Sequence, residues 1–163
     1  MNTKDAIRAA MDTSFMVFKG YLGDLDDADL MQRPGEGCNH LAWQVGHLTA
    51  SEVSLLDSVC PGKAAKLPEG FAEAHSKEMA GSDDATKFCT KAEYVELMDK
   101  VRAGTKAALD ALPEQDLDAD SPENFRDFCP TVGHMFILIA THHMMHAGQF
   151  VPVRRRLGKP VLF

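Results

Sequence analysis

Much of what narrows this chain's function is what its sequence lacks. It has no Cys-x-x-Cys pair, no glycine-rich phosphate-binding loop, and no run of alternating apolar and polar residues of the kind a half-buried strand needs. The four cysteines, Cys38, Cys60, Cys89 and Cys129, stand far apart. They read as small, partly buried hydrophobes rather than as a redox centre or a disulfide framework. Positive charge is also short: 17 Lys+Arg against 24 Asp+Glu leave a formal charge of −7. Nucleic-acid binding needs the opposite surplus, so that partner class is excluded. No apolar run approaches the roughly 20 residues that span a bilayer, and the longest covers only residues 135–140. The first residues, Met1-Asn-Thr-Lys-Asp, are polar and lack a signal-peptide apolar region. The expectation is a cytoplasmic protein with no membrane partner.

What is present is ordinary globular composition, 45% apolar and 25% charged over 163 residues. That length suits one domain, residues 1–163, with a single core. Four stretches carry helical periodicity. From Thr3 to about Tyr21, Ile7, Met11, Ser14, Phe15, Phe18 and Leu22 recur at three- and four-residue steps. The acidic run Asp24-Leu-Asp-Asp-Ala-Asp29 fails as a calcium loop, because Asp29 stands where Gly is needed and Gly35 where Glu is needed. It reads instead as a solvated connection. A second helix follows Asn39 as its cap and runs to about Val59, with Leu41, Val45, Leu48, Glu52, Leu55 and Val59 on one face. His40, Trp43, His47, Ser51 and Ser54 line an adjacent face.

Residues 60–90 hold too much Pro and Gly for a long helix, so one short helical turn near Phe71 to Lys77 is expected, crossing the end of the core. A third helix opens on the capping box Thr90-Lys-Ala-Glu93 and ends at Pro113. The fourth runs from about Thr131 to Leu157, apolar nearly all round in its first half. The fold class is all-α, four helices in a bundle.

Seven histidines remain to be explained, four of them (His134, His142, His143, His146) in one stretch. His142 and His146, four apart, can converge on one point, the geometry of two imidazole ligands from one helix. His143 and His146, three apart, also share a face, and periodicity does not choose between them. A catalytic zinc takes three protein ligands and keeps one position open. Candidates for the third are His47, preceded by Gly46 that would let a neighbouring helix approach, His40, His134 and His75. His134 lies two turns before His142, about 12 Å along the axis, too far to share its metal. His75 falls in the long connection, where a solvated role is expected.

Trp43-Gln-Val-Gly46-His47-Leu48, with His142-x-x-x-His146-Ala-Gly148-Gln149 and Arg155-Arg156-Leu-Gly158, resembles the DinB-like superfamily. The likeness takes in the Asp24 to Pro34 connection and most of the chain outside residues 60–90. It implies an up-down-down-up four-helix bundle, usually a homodimer, with a metal held by His47, His142 and His146. Pro152 departs from a regular fourth helix, so a kink near Gly148 or an early end is expected.

Three neutral imidazoles leave a dication its full charge and an exchangeable position, suited to acidifying water or binding a thiolate. Zinc or nickel is the metal expected. Family members include transferases and isomerases that use low-molecular-weight thiols such as bacillithiol or mycothiol. The resemblance therefore implies a metal-dependent enzyme acting through a thiol or water on a small electrophile, with Gln149 placed to orient the substrate. No catalytic side chain can be named from order alone. The alternative is a non-catalytic, metal-stabilised dimeric bundle or small-molecule binder. The apolar tail, Pro160 to Phe163, would then pack across a dimer interface. The basic cluster Arg154-Arg155-Arg156 with Lys159 reads as a solvated helix end, or else as a site for an anionic substrate.

Overall fold

The computed structural model describes residues 1–162. Four long helices carry it: α1 (Thr3–Gly23), α3 (Leu41–Val59), α5 (Lys91–Ala111) and α6 (Val132–Arg156), with one-turn helices α2 (Asp27–Leu30) and α4 (Phe71–Ala74) in the connections. No strand occurs among the described residues, only an isolated bridge between Asp120 and Thr131. Among the described residues, no helix is long and apolar enough to cross a membrane.

Contacts give the helix directions. Along α1 and α6, Ser14 meets Ala140, Phe18 meets His143 and Phe150, and Tyr21 meets Arg154, so numbers rise together and the two run parallel. Glu52 meets Arg102 and Thr105, and further on Val59 lies beside Ala108 and Ala111 around one cleft, so α3 and α5 are parallel as well. Between α3 and α6, Gln44 meets His146 and His47 meets His142, an antiparallel pair. The order is up, down, down, up. Parallel neighbours explain the long connection between α3 and α5. A 19-residue helix is about 28 Å long at about 1.5 Å per residue, and the chain must climb that length before α5 can start. Residues 60–90 therefore do not cross the end of the core. They run back along the bundle, and Phe71 and His75 are buried on the way.

The predicted faces are the buried ones. Ile7, Met11, Phe18 and Leu22 of α1, Leu41, Val45 and Leu48 of α3, and Tyr94, Met98 and Val101 of α5 are all buried. The Thr90 capping box forms as expected. On α6, Ile137 is exposed, so the apolar first half is not buried all round.

Other expectations are corrected. The cap of α3 is His40, whose Nδ1 accepts from the Trp43 amide at 3.0 Å, while the Asn39 carbonyl accepts from Gln44 instead. Helix α6 continues through Pro152 to Arg156. Both Pro152 and Gly148, the residue one turn earlier, are exposed, so the carbonyl that Pro152 leaves unpaired faces water. The basic cluster is a solvated helix end only in part: Arg155 and Arg156 are exposed, but Arg154 is not. Arg154 is fully buried, its guanidinium paired with Asp24 and donating to the carbonyls of Tyr21 (2.7 Å) and Pro160 (2.8 Å). Lys159 reaches the Asp24 carbonyl at 2.5 Å, and Arg156 donates to the carbonyls of Arg33 and Pro34. The acidic run and the basic helix end thus hold each other, and Arg154, Arg156 and Lys159 are engaged within the chain. Pro160 to Leu162 follow α6 without regular structure, and Phe163, the last residue of the expected interface tail, lies outside the described residues.

Candidate metal centre

The site lies where α3 crosses the middle of α6. His47 comes from α3, and His142 and His146 come from successive turns of α6. One nitrogen from each lies within 4.8 Å of the others. Ring centroids are 5.6 Å apart for His47–His142, 5.7 Å for His47–His146 and 5.0 Å for His142–His146. Such a set can close on one ion with small rotamer adjustments.

Two of the three rings, His47 and His146, are held from behind. Trp43, one turn before His47, stacks on it with centroids 4.7 Å apart and planes 7° from parallel. The Trp43 indole N–H is tied to the Ser76 carbonyl at 2.9 Å. His146 Nδ1 donates to Gln44 Oε1 at 2.9 Å. The direction of that bond is fixed, because Gln44 Nε2 donates to the Asn39 carbonyl at 2.8 Å, which can only accept. Gln44 must therefore present its oxygen to His146, and His146 must carry its proton on Nδ1. Its Nε2 lone pair is left for a metal.

The electrostatics agree. Burial, with repulsion from His47, lowers the His142 pKa to about 4, and burial with repulsion from His142 and His47 lowers that of His146 to about 4. His47 is lowered as well, by burial and then by Lys77. All three rings are neutral at pH 7, the form a metal requires.

The other histidines have separate tasks. His143 is buried and turned toward α1, edge-on to Phe15 and Phe18, and its Nδ1 accepts from Arg102 Nη2 at 2.9 Å. The ring that joins the cluster is His142. His40 is buried as the α3 cap, with Nε2 donating to the Ser82 carbonyl at 3.1 Å. His134 is exposed, its Nδ1 2.8 Å from the Thr131 hydroxyl. His75 is not solvated but buried. Its Nδ1 donates to the Phe71 carbonyl and its Nε2 accepts from the Tyr94 hydroxyl, both at 2.7 Å. It is this ring that Gly46 admits, and not a neighbouring helix, since a Cβ at Gly46 would lie 2.0 Å from His75 Cδ2.

Gln149 is half-buried on the turn after His146. The glutamine that touches the cluster is Gln44, which sequence reasoning did not single out. Its place in Trp43-Gln44-Val-Gly-His47 was the available signal, but sequence could not show which α6 residue it meets. No cysteine joins the three-histidine cluster; all four are free thiols, with Cys60, Cys89 and Cys129 pushed up by burial.

Among solved structures, the chain resembles a conserved protein from Enterococcus faecalis at TM-score 0.73 and 18% identity, covering 98% of this chain and 99% of that one. It also resembles YfiT from Bacillus subtilis at TM-score 0.67 and 17% identity, covering 96% and 89%. YfiT is described as a probable metal-dependent hydrolase with an unusual four-helix bundle topology. At those identities the likeness establishes the fold. No curated protein matches the sequence. The family model of the DinB superfamily matches residues 10–150, a span that holds His47, His142 and His146 and most of the four-helix bundle, and the chain belongs to that superfamily.

Proposed function

We propose that the chain is a metal-dependent enzyme in which His47, His142 and His146 hold one divalent ion. The observation that carries this is the set of three neutral imidazole nitrogens within 4.8 Å, with Gln44 already holding the far nitrogen of one ring. The residues fit the group: three neutral donors, two of them on one helix, on a wall that stays open to solvent. When bound, the ion would supply a Lewis acid able to lower the pKa of a coordinated water or thiol toward neutrality. The protein's part is to keep the three rings deprotonated by burial, to fix the His146 tautomer through Gln44, and to seat His47 against Trp43.

The description of YfiT favours water as the nucleophile, and the family's thiol-using transferases favour a low-molecular-weight thiol. Either would attack a small electrophile lying beside the histidines. Zinc and nickel both suit imidazole donors. Gln149 is the candidate for orienting the substrate. A homodimer is proposed with the family.

Metal titration of the purified protein, beside His146→Ala, tests the reading. Wild type should take up one equivalent of Zn(II) or Ni(II) per chain, and the variant should lose at least about 100-fold in affinity. A folded wild type that takes up neither ion overturns it.

A further inference from the structure

A groove of about 320 Å³ opens onto His47 and His142. Ser51, Ser54 and Leu55 of α3 form one wall, and Leu138 of α6 with Phe128 from the preceding loop forms the other. These seven side chains include no Asp, Glu, Lys or Arg. Phe128 leaves 60% of its surface in water, although it packs edge-on against Phe125 at 5.9 Å. Lys77, whose charge is felt at His47, is itself exposed and does not line the groove.

Two chemical consequences follow. A ligand body carrying a carboxylate or ammonium would give up part of its hydration in this groove and meet no counter-charge. A ring or short alkyl body would cover Leu55, Leu138 and Phe128, and a polar edge would face the Ser51 and Ser54 hydroxyls. The only strong attraction for negative charge would sit at one end, beside the histidines.

We propose that this groove selects the substrate class: an uncharged small molecule that offers one sulfur or oxygen donor at the histidines and lays an apolar body against Phe128 and Leu138. The assignment rests on the metal reading above. Phe128 is then a specificity-determining residue, distant in sequence from every ligand.

The test uses the Co(II)-loaded protein and two thiols of matched shape, 4-methylbenzenethiol and 4-mercaptobenzoate, whose para groups are too far from sulfur to reach the same ion. Each is titrated against the cobalt visible spectrum. The neutral thiol should bind about tenfold more tightly, because the para carboxylate of the other loses hydration in the groove and meets no counter-charge. In Phe128→Lys, an exposed position that leaves the core untouched, the preference should vanish or reverse. Equal affinities in wild type, or the same preference in Phe128→Lys, overturn the assignment and leave the metal reading standing. Failure of the wild type to take up cobalt overturns the metal reading, and this one with it.

Discussion

The residue that most changes the picture of the site is Gln44. A histidine ligand needs its second nitrogen held, and outer partners of this kind are worth about 10–100-fold in metal affinity. Gln44→Leu should therefore weaken metal binding by about that factor. It should also let the His146 proton distribute between both nitrogens, visible in nitrogen-15 NMR of the metal-free protein. A His146 ring already protonated on Nε2 in wild type contradicts the assignment. A second residue-scale case is Arg102, buried beside Glu52 at 2.9 Å, with the Thr105 hydroxyl donating to the other Glu52 oxygen at 2.7 Å. Burial pushes the Glu52 pKa up, against the pull of Arg102 and Thr105. Removing one partner leaves a buried charge alone, so Arg102→Met should lose about 3–5 kcal/mol of stability. Replacing Glu52 and Arg102 together by Met should recover part of it. Urea unfolding of the single and double variants decides the point, and a double variant less stable than both singles would refute it. Glu52 stood on the apolar face of its helix in sequence, but its partner lies on another helix and could not be read there.

At the scale of elements, helix periodicity was enough to find α1, α3, α5 and α6, because each buries one face and the 3.6-residue repeat records which. The connections were less legible. Nothing local says that residues 60–90 must climb the side of the bundle, or that His75 ends in the core between Phe71 and Tyr94. Gly46 was read as room for a helix, and it is room for that ring. Gly46→Ala tests the packing. Alanine gains about 1 kcal/mol in helix propensity. Against that stand overpacking at about 1–3 kcal/mol and two buried hydrogen bonds of His75 at about 1 kcal/mol each. The net effect should be destabilising in thermal unfolding, and a variant more stable than wild type would refute it.

At the scale of the whole molecule, six of the seven histidines (His40, His47, His75, His142, His143 and His146) have pKa values below their ordinary 6.5, with burial the largest cause in each. On acidification the unfolded chain binds these protons first. The stability they contribute is complete above pH 6.5 and is lost as pH falls toward 4. The urea midpoint of metal-free protein should therefore be lower at pH 5 than at pH 7.5. An unchanged midpoint contradicts the buried, neutral state of these rings.

The absences noted at the outset, of strand patterns, redox cysteine pairs and positive surplus, left an all-α chain with histidines to explain. Composition and periodicity determined that much, since burying one face of a helix is a local and repeating demand. The spacing of His142 and His146 was likewise local, one turn of one helix. Tertiary structure decided the rest. It turned His142 rather than His143 toward α3, brought His47 across from a helix about 95 residues away, and set Gln44 behind His146. It also folded Arg154 inward onto Asp24. The reason is physical: a helix records its own buried face in sequence, but which side chains meet between helices depends on directions and crossings that only the packed bundle defines.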